Sequence, residues 1–385
     1  MASLNDKEDH IDFLDGIRGL LAFWVFFYHL QMACIGKSTP WGSGATAVDI
    51  FMLLSGFLMA YHWHLRKDRF VEFKYQSVDF YIRRFFRIAP LYYVLLAVAF
   101  LGQDYLFEMR DYIKAVVPPP WVIDTKGVTN IPHESVNVSN VVVHYLFLFG
   151  FIPKYASSNM LPDWSLGLEM QFYVIFPFIM LFISRFGALS VVLALIVVSF
   201  VTNNVFGLYL SSGILGNFPQ PSLILFKINV FAAGISIALI SLNKNNINVA
   251  RWAILTILSL YNAAPQVWVA ALFIVFMIIF NDDKKELVGK LMSNRVAKFF
   301  GDTSYSVYLV HIMIYVPILY ALFHNEWFMS LHMYSRLFVA FILTAMPVYG
   351  VSYFLYKLIE IRGIQFGRNI LQKKSFVENK NQSFN

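Results

Sequence analysis

The sequence predicts an all-α integral membrane protein with about ten transmembrane helices and both ends of the chain in the cytoplasm. Of its 385 residues, 58% are hydrophobic and only 14% are charged, and the mean hydropathy is +0.60. These values leave too little polar surface to cover a water-facing body. Apolar stretches suited to crossing about 30 Å of hydrocarbon recur along the chain. The candidate spans, two of them short, are 14–32, 46–65, 87–102, 166–184, 188–204, 221–241, 250–264, 266–280, 302–323 and 336–358.

A further apolar stretch, Val141–Phe151, decides the orientation of the spans that follow it. It is shorter than a span and contains His144. If it stays out of the membrane and the N-terminus is inside, 23 of the 30 Lys and Arg residues fall on the cytoplasmic side, as the positive-inside rule requires. Counting it as a span would place the basic cluster 284–298 outside. We therefore expect an interfacial or re-entrant element within a long outer loop, 103–165.

The domain organisation is predicted to be simple. Residues 1–372 form one membrane domain, and 373–385 form a short basic tail with the composition of a poorly ordered segment. Asp6, Glu8 and Asp9 argue against a cleaved signal peptide. The net charge of +7 comes from basic residues that flank spans, so we expect contacts with membrane lipids and not with nucleic acid. The oligomeric state is left open.

The first span places an arginine and a histidine on one face. Arg18 and His29 are eleven residues apart, a spacing that returns to within about 20° on a helix. They are separated by about 16 Å along the axis, so Arg18 lies near the cytoplasmic end and His29 in the outer half. Ionisable groups inside a span are functional candidates by default. The alternatives are that Arg18 extends to the interface and that His29 makes a structural interhelical hydrogen bond.

Two acidic residues are candidates for the outer half of the membrane. Asp49 begins the second span at the level of His29 and is predicted to orient and charge the imidazole. Its alternative role is a charge favoured by the helix N-terminus. Glu169 lies just inside the apolar boundary of the fourth span. Its alternative is an interfacial carboxylate near a helix start, with Ser165 as cap.

A strongly basic segment precedes the third span and ends in RRFFR. Arg84 and Arg87 are three residues apart and therefore neighbours on a helix surface. Two guanidinium groups one turn apart at a membrane boundary suit phosphate oxygens, which predicts a phosphorylated cytosolic ligand. The alternative is that these arginines only determine topology.

Taken together, the motifs resemble acyltransferase family 3 of membrane O-acyltransferases, a group that includes O-antigen and exopolysaccharide acetylases. The resemblance covers almost the whole chain. It implies a ten-helix fold, acetyl-coenzyme A or a related thioester as donor, and a glycan or glycolipid hydroxyl as acceptor. The family's functional residues map onto Arg18, His29, Arg84 and Arg87. The matching segments are LDGIRGLLAFWVFFYH, VDIFMLLSGF, RRFFR, WSLGLEMQFY and GDTSYSVYLVH, followed by a late Glu360.

Two departures from the family pattern are visible. Met170 follows Glu169 where many members carry a second acid, and no C-terminal hydrolase-like domain follows the spans. The chain is therefore expected to resemble the stand-alone members. The resemblance further implies a multi-pass protein of the bacterial inner membrane.

The predicted mechanism follows from the depths at which these residues are expected to lie in the membrane. Arg84, Arg87 and Arg18 hold the coenzyme A phosphates, while His29, oriented by Asp49 or Glu169, acts as general base or as the nucleophile that carries the acyl group. No metal is expected. The candidate substrate contacts, among which the Ser165 hydroxyl or the Trp164 indole would donate to a developing oxyanion, are Trp164, Ser165, Tyr173 and His311.

The competing interpretation is a lipid or glycan transporter that uses Arg18, His29 and Glu169 as a proton or anion path. Such a protein is expected to show repeat symmetry and helices broken by Gly or Pro at matching positions. The sequence shows no convincing internal repeat. A binding or scaffold protein ranks third, because it would not explain ionisable residues converging at two depths.

Overall fold

The protein is helical throughout the part of the chain that its structure describes. A computed structural model gives residues 12–70, 72–117, 137–207, 214, 218–242, 246–279, 292 and 294–382. Within these ranges there is no strand, seven helices are long and apolar enough to cross a membrane, and three shorter apolar helices accompany them. The predicted all-α polytopic membrane fold is confirmed. The count of ten crossings and the cytoplasmic termini stay predictions.

The helices are numbered here in chain order within the described ranges. Every predicted span overlaps a helix, although the limits of several helices differ from the predicted ones. The helices are α1 (Asp12–Ile35), α2 (Gly44–Arg66), α3 (Phe73–Leu101), α4 (Gln103–Val116), α5 (Val138–Tyr145), α6 (Trp164–Phe186), α7 (Ala188–Val201), α8 (Ile228–Leu242), α9 (Asn246–Ser259), α10 (Pro265–Ile279), α11 (Arg295–Phe323), α12 (Glu326–Ser330), α13 (Met333–Leu355) and α14 (Ile361–Gln382).

Close helix contacts through glycine build the centre of the molecule. A Cβ atom added to Gly56 of α2 would lie 2.3 Å from the Phe231 carbonyl oxygen of α8, and one added to Gly234 would lie 2.1 Å from the Leu53 carbonyl oxygen. Small residues allow helix backbones to approach this closely where no hydrophobic force drives them together. Helix α1 packs along α11 in the same bundle. This packing brings the N-terminal motif and the GDTSYSVYLVH motif side by side.

The segment predicted to be interfacial or re-entrant contains the short helix α5 and a 3₁₀ turn, Phe149–Phe151. Eight residues of helix span only about 12 Å, too little to cross a bilayer. His144 is fully buried, with its ring stacked on Phe149 at 4.4 Å. These features agree with an element that does not cross. Residues 118–136 of the predicted outer loop lie outside the described residues.

Helix α8 begins later than the predicted span 221–241. The chain enters it through extended residues near Ser222, whose carbonyl oxygen accepts a 2.8 Å hydrogen bond from Gln171 Nε2. The backbone N–H of Ile224 donates to Gln171 Oε1 at 2.9 Å. The Gln171 amide thus takes the place of a helical hydrogen-bond partner for this strip of backbone. The helix therefore starts only at Ile228.

The last three elements form one long helix. Helix α13 passes through a π turn, Tyr356–Glu360, into α14, so that the backbone is continuously helical from Met333 to Gln382. Glu360 is 3% exposed and accepts a 3.2 Å hydrogen bond from the Ser306 hydroxyl. The backbone is helical to Gln382, whereas the side chains from 373 onward lie outside the described residues. The disorder of the 373–385 tail stays a prediction.

Candidate functional site

A cavity of about 370 Å³ lies between helices α1, α2, α3, α6 and α11, with α14 beside it. It extends from the C-terminal end of α2 to the N-terminal end of α6. Six arginines and three carboxylates line it, a formal excess of three positive charges among these residues. A low-dielectric cleft lined by one sign of charge attracts ligands of the opposite sign. The charged lining residues are Arg18, Arg66, Arg83, Arg84, Arg87, Arg368, Asp15, Asp79 and Glu169.

The three arginines predicted to bind phosphate, here called the central arginines, all line this cavity. They are Arg18, Arg84 and Arg87. Arg18 lies 4.0 Å from Asp15, and it interacts electrostatically with Arg87 and Glu360 as well. The structure therefore places Arg18 in a shared cavity wall, not in isolation at a lipid interface. Helix α1 and the RRFFR motif meet at this point.

Glu169 faces the central arginines. Its carboxylate accepts a 3.0 Å hydrogen bond from the Ser55 hydroxyl and a short one from the Tyr173 hydroxyl. The Arg84 guanidinium lies 5.8 Å from the Tyr173 ring centroid, within cation–π range. Tyr173 thus contacts both Glu169, a predicted catalytic residue, and Arg84, a predicted phosphate-binding residue. The role predicted for Glu169 as the partner of His29 stays a prediction, because the structure places it with this arginine group.

The opposite end of the cavity is formed by two hydroxyl groups, Ser165 and Tyr308, here called the hydroxyl end. Their oxygens are 2.6 Å apart, and the Tyr308 hydroxyl donates to the Pro162 carbonyl oxygen at 2.6 Å. Trp164, the other predicted substrate contact in this segment, is half-buried and packs against the hydrophobic core at the start of α6. Ser165 is therefore the residue of this pair that lines the cavity.

His29 and His311 form a pair of neighbouring imidazoles just past the hydroxyl end. Their ring centroids are 5.4 Å apart, and His311 lies 6.3 Å from the Tyr308 ring. His311 is fully buried, and its Nδ1 lies 3.0 Å from the Val307 carbonyl oxygen. Because a carbonyl oxygen only accepts, Nδ1 carries the proton and Nε2 is left as an acceptor. Among the described residues Nε2 has no hydrogen-bond partner.

Asp49 does not join the histidine pair. Its carboxylate oxygens lie 2.8 and 2.9 Å from Lys227 Nζ, just before α8. The buried carboxylate is thus compensated by an ammonium group that the bundle brings from far along the chain. The structure pairs Asp49 with Lys227 and not with His29, and a catalytic role for Asp49 stays a prediction.

Not all of the lining residues were predicted, and four of those that were missed take part in the proposals below. Tyr308 lies three residues before His311 in one motif, so the helical spacing could have indicated that both share a face. Arg83 precedes Arg84 and was counted only as a topology determinant. Arg66 and Arg368 carry no local signal, since only the bundle brings the ends of α2 and α14 beside α3.

A buried polar network supports the hydroxyl end from the outer loop. Asp163, directly before α6, accepts hydrogen bonds from the Tyr92 hydroxyl at 3.0 Å and from Asn159 Nδ2 at 2.9 Å. His144 Nε2 lies 3.8 Å from the same carboxylate, and its Nδ1 lies 2.8 Å from the Asn140 carbonyl oxygen. Burial raises the pKa of the Asp163 carboxyl and lowers the pKa of the His144 imidazole. The network fixes the start of α6 and hence Ser165.

Comparison with known proteins adds a family match. A family model described as an acyltransferase domain matches residues 11–357. The chain is 28% identical over 185 residues to a peptidoglycan O-acetyltransferase, OatA, of Listeria monocytogenes, covering 45% of this chain and 25% of that protein. It is 26% identical over 197 residues to the O-acetyltransferase OatA of Staphylococcus aureus, covering 49% and 28%.

A viral relative matches over a greater length. The chain is 24% identical over 322 residues to "Putative acetyltransferase ORF330" of the Acidianus two-tailed virus, covering 77% of this chain and 81% of that protein. By contrast, the matches span only about a quarter of the two bacterial relatives. No solved structure matches the chain significantly.

Proposed function

Because this chain belongs to acyltransferase family 3, whose model it matches over residues 11–357, we propose that it moves an acetyl or other short acyl group through the membrane. The donor is a cytosolic acyl-coenzyme A. The acceptor is a hydroxyl of a glycan or glycolipid on the outer side, and the location is the bacterial inner membrane. The family match confirms the prediction of a membrane acyltransferase, and the names of the OatA relatives support O-acetyl transfer.

One observation carries this proposal: a single cavity joins the central arginines to the hydroxyl end, next to the histidine pair. Anion-binding groups and hydroxyl groups thus lie at different depths of one cavity, and the histidine pair, which is not among the lining residues, neighbours Tyr308. A donor with a phosphorylated head and a thioester at the far end of a flexible arm fits that order. The excess positive charge of the lining supports a polyanionic ligand.

The central arginines are proposed to bind the diphosphate of the donor. Guanidinium groups bind phosphate oxygens through paired hydrogen bonds. Glu169 and Tyr173 hold Arg84 in place from the side, so less side-chain entropy is lost when the donor binds. The bound thioester supplies an activated acyl group. The protein's part is to position it, exclude water and handle one proton.

His29 is proposed to act on the acyl group at the hydroxyl end. Two routes stay open: His29 takes the proton of the acceptor hydroxyl as general base while that hydroxyl attacks the thioester, or His29 attacks the thioester carbonyl itself and briefly carries the acyl group before the hydroxyl takes it. In both routes the C–S bond breaks, and coenzyme A leaves as the thiol with the proton of the acceptor hydroxyl. In either route the carbonyl oxygen gains negative charge. The Ser165 hydroxyl can donate to it once it gives up its hydrogen bond to Tyr308, whereas the Tyr308 proton is donated to the Pro162 carbonyl oxygen and Tyr308 positions Ser165.

The test is transfer by the purified protein in lipid vesicles, with acetyl-coenzyme A on one side and a soluble glycan acceptor on the other. His29→Ala is expected to abolish transfer. The Arg84→Ala/Arg87→Ala double variant is expected mainly to raise the KM for the donor. His332→Ala removes an exposed imidazole elsewhere and serves as the matched control.

Wild-type transfer by His29→Ala would overturn the catalytic assignment, and an unchanged donor KM in the double arginine variant would overturn the phosphate site. If labelled glycan crossed the vesicle membrane without consuming thioester, the protein would be a transporter. Acylation that depends on thioester, without movement of the glycan, supports the transferase.

A further inference from the structure

The cavity holds a second cationic group, away from the hydroxyl end. Asp79 lies between two arginines there: Arg83 Nε is 2.9 Å from Oδ1 and 3.0 Å from Oδ2, and Arg66 lies 3.7 Å from Oδ2. All three side chains line the cavity, as does Arg368. We call this group of four the basic end.

The basic end is held rigidly. Asp79 and Arg83 are one turn apart on α3, and Arg66 is the last residue of α2. The Gln76 side chain, also on α3, donates a 2.8 Å hydrogen bond to the Trp63 carbonyl oxygen of α2. This bond fixes the end of α2 against the start of α3. The two guanidinium groups are therefore positioned before any ligand arrives.

The geometry of Arg83 leaves part of its guanidinium available to an anion. Among the described residues, its hydrogen bonds to Asp79 use Nε, which leaves the two terminal nitrogens facing a cavity that it lines. A guanidinium has five N–H donors, and the terminal pair forms the fork that suits a phosphate group. Asp79 sets the direction of that fork.

The basic end is centred on Asp79, which lies at a different depth from Arg84 and Arg87. Helix α3 runs from Phe73 toward the outer side as predicted, so Asp79 precedes Arg84 by about 7.5 Å and Arg87 by about 12 Å along the axis. By contrast, Arg83 lies directly before Arg84 and differs from it in the side of the helix that it occupies. Arg66 is still close enough to Arg84 to interact with it electrostatically. The cavity thus offers two cationic groups in series, and the hydroxyl end lies beyond the second one.

We propose that the basic end binds the ribose 3′-phosphate of the coenzyme A donor and makes the protein selective for coenzyme A over donors that lack this group. This inference rests on the proposed function. Acyl-coenzyme A carries two separate anionic groups, a diphosphate and a 3′-phosphate, and the 3′-phosphate is the farther from the thioester. The same order holds along the cavity from the hydroxyl end to the basic end.

The test compares acetyl-coenzyme A with acetyl-dephospho-coenzyme A, which lacks only the 3′-phosphate, in the reconstituted protein. The wild type is expected to show a KM about 10- to 100-fold lower for acetyl-coenzyme A, the effect of one or two hydrogen bonds to a charged group. Arg83→Gln is expected to abolish this ratio by raising the KM for acetyl-coenzyme A alone. Arg83→Lys is expected to restore part of it.

Two control variants separate the basic end from general effects. Lys74→Gln removes a positive charge from an exposed position of the same helix and is expected to leave the ratio unchanged. Arg87→Gln is expected to raise the KM for both donors, because it acts on the diphosphate that they share. A fall in the ratio with Lys74→Gln would mean that only long-range charge is at work, which would contradict a site at Arg83.

The outcomes distinguish this inference from the proposed function. Equal KM values for the two donors in the wild type, or an unchanged ratio in Arg83→Gln, would overturn the 3′-phosphate site and leave the transferase standing. Failure of both donors to support transfer would instead overturn the proposed function.

Discussion

At the scale of single residues, Tyr308 occupies the point where the cavity comes nearest to the histidine pair. Its hydroxyl binds both Ser165 and the Pro162 carbonyl oxygen, and its ring lies 6.3 Å from His311. It therefore positions the Ser165 hydroxyl and borders the proposed reaction path at the same time.

Replacing this hydroxyl tests its part in the reaction. Tyr308→Phe is expected to lower kcat about five- to tenfold with little change in donor KM, because about 1 kcal/mol of hydrogen bonding is lost at the hydroxyl end and none at the arginines. Tyr81→Phe is the matched control, since the Tyr81 hydroxyl donates to the Val174 carbonyl oxygen at 2.9 Å. A large rise in donor KM with unchanged kcat would contradict this placement.

Residue type alone was enough to predict part of the cavity lining. Arg18, Arg84 and Arg87 could be predicted because a guanidinium in or beside an apolar stretch stands out. The partners of the acidic residues could not: Lys227 lies 178 positions after Asp49, and Ser55 lies 114 positions before Glu169. Such pairs depend on which helices meet across the bundle, and a single sequence does not record that.

At the scale of helices, the contact between α2 and α8 depends on two glycines. Gly234→Ala is expected to destabilise the protein by about 1–3 kcal/mol, because the added methyl group would overlap the α2 backbone. Gly350→Ala on α13 is the matched control, since nothing lies within 4 Å of its added Cβ. Alanine there is expected to stabilise the helix by up to about 1 kcal/mol.

Thermal unfolding of the two alanine variants in detergent, followed by circular dichroism, measures this difference. Equal melting temperatures would show that α2 and α8 do not approach through their backbones.

The outer-loop network should make stability depend on pH. Burial lowers the pKa of His144 below its ordinary 6.5, so below that pH the unfolded chain binds a proton that the folded state resists. The free energy of unfolding therefore falls as the pH drops below about 6.5. The raised pKa of Asp163 acts with the opposite sign, so the wild type alone does not isolate the histidine.

Replacing His144 isolates its contribution to the pH dependence of stability. His144→Phe keeps a ring against Phe149 but removes the titrating group, and it is expected to lose less stability than the wild type between about pH 7.5 and about pH 5.5. Melting temperatures measured at both pH values give the comparison. Equal losses in the two proteins would show that His144 is already accessible to protons in the folded state.

Hydropathy predicted the helices well because the hydrocarbon thickness fixes how long an apolar run must be. It failed where a side chain replaces a backbone partner. The start of α8 shifted because the Gln171 amide binds the chain on both sides of Leu223. A polar residue in an apolar run indicates that a partner is needed, but not which stretch of backbone supplies it.

At the scale of the whole molecule, the orientation rests on the distribution of charge along the chain, and it can be measured. Cys34 is buried, so it should give little background labelling. Lys74→Cys is expected to react with an impermeant maleimide only from the cytoplasmic side. Trp327→Cys, at a position 59% exposed in the wild type, is expected to react only from the outside. Labelling of both cysteines from the same side would contradict the predicted transmembrane topology.

The sequence could supply the number and order of apolar segments but not the cavity that they enclose. Residues from six helices line it, and those residues are spread from Leu14 to Arg368. Each helix contributes only a few side chains, so no local pattern marks the whole. Each of the central arginines could be predicted singly from the sequence. Their arrangement along one cavity is visible only once the helices are packed together.

The long last helix is longer than a membrane span. Its first forty residues, Met333–Gln372, measure about 60 Å, roughly twice the thickness of the hydrocarbon. The far half, on the side predicted to be cytoplasmic, is therefore expected to extend beyond the bilayer, and Arg368 of the basic end lies on it. Under the proposed function, the nucleotide of the donor binds on the water-facing side, and only its thioester arm enters the membrane.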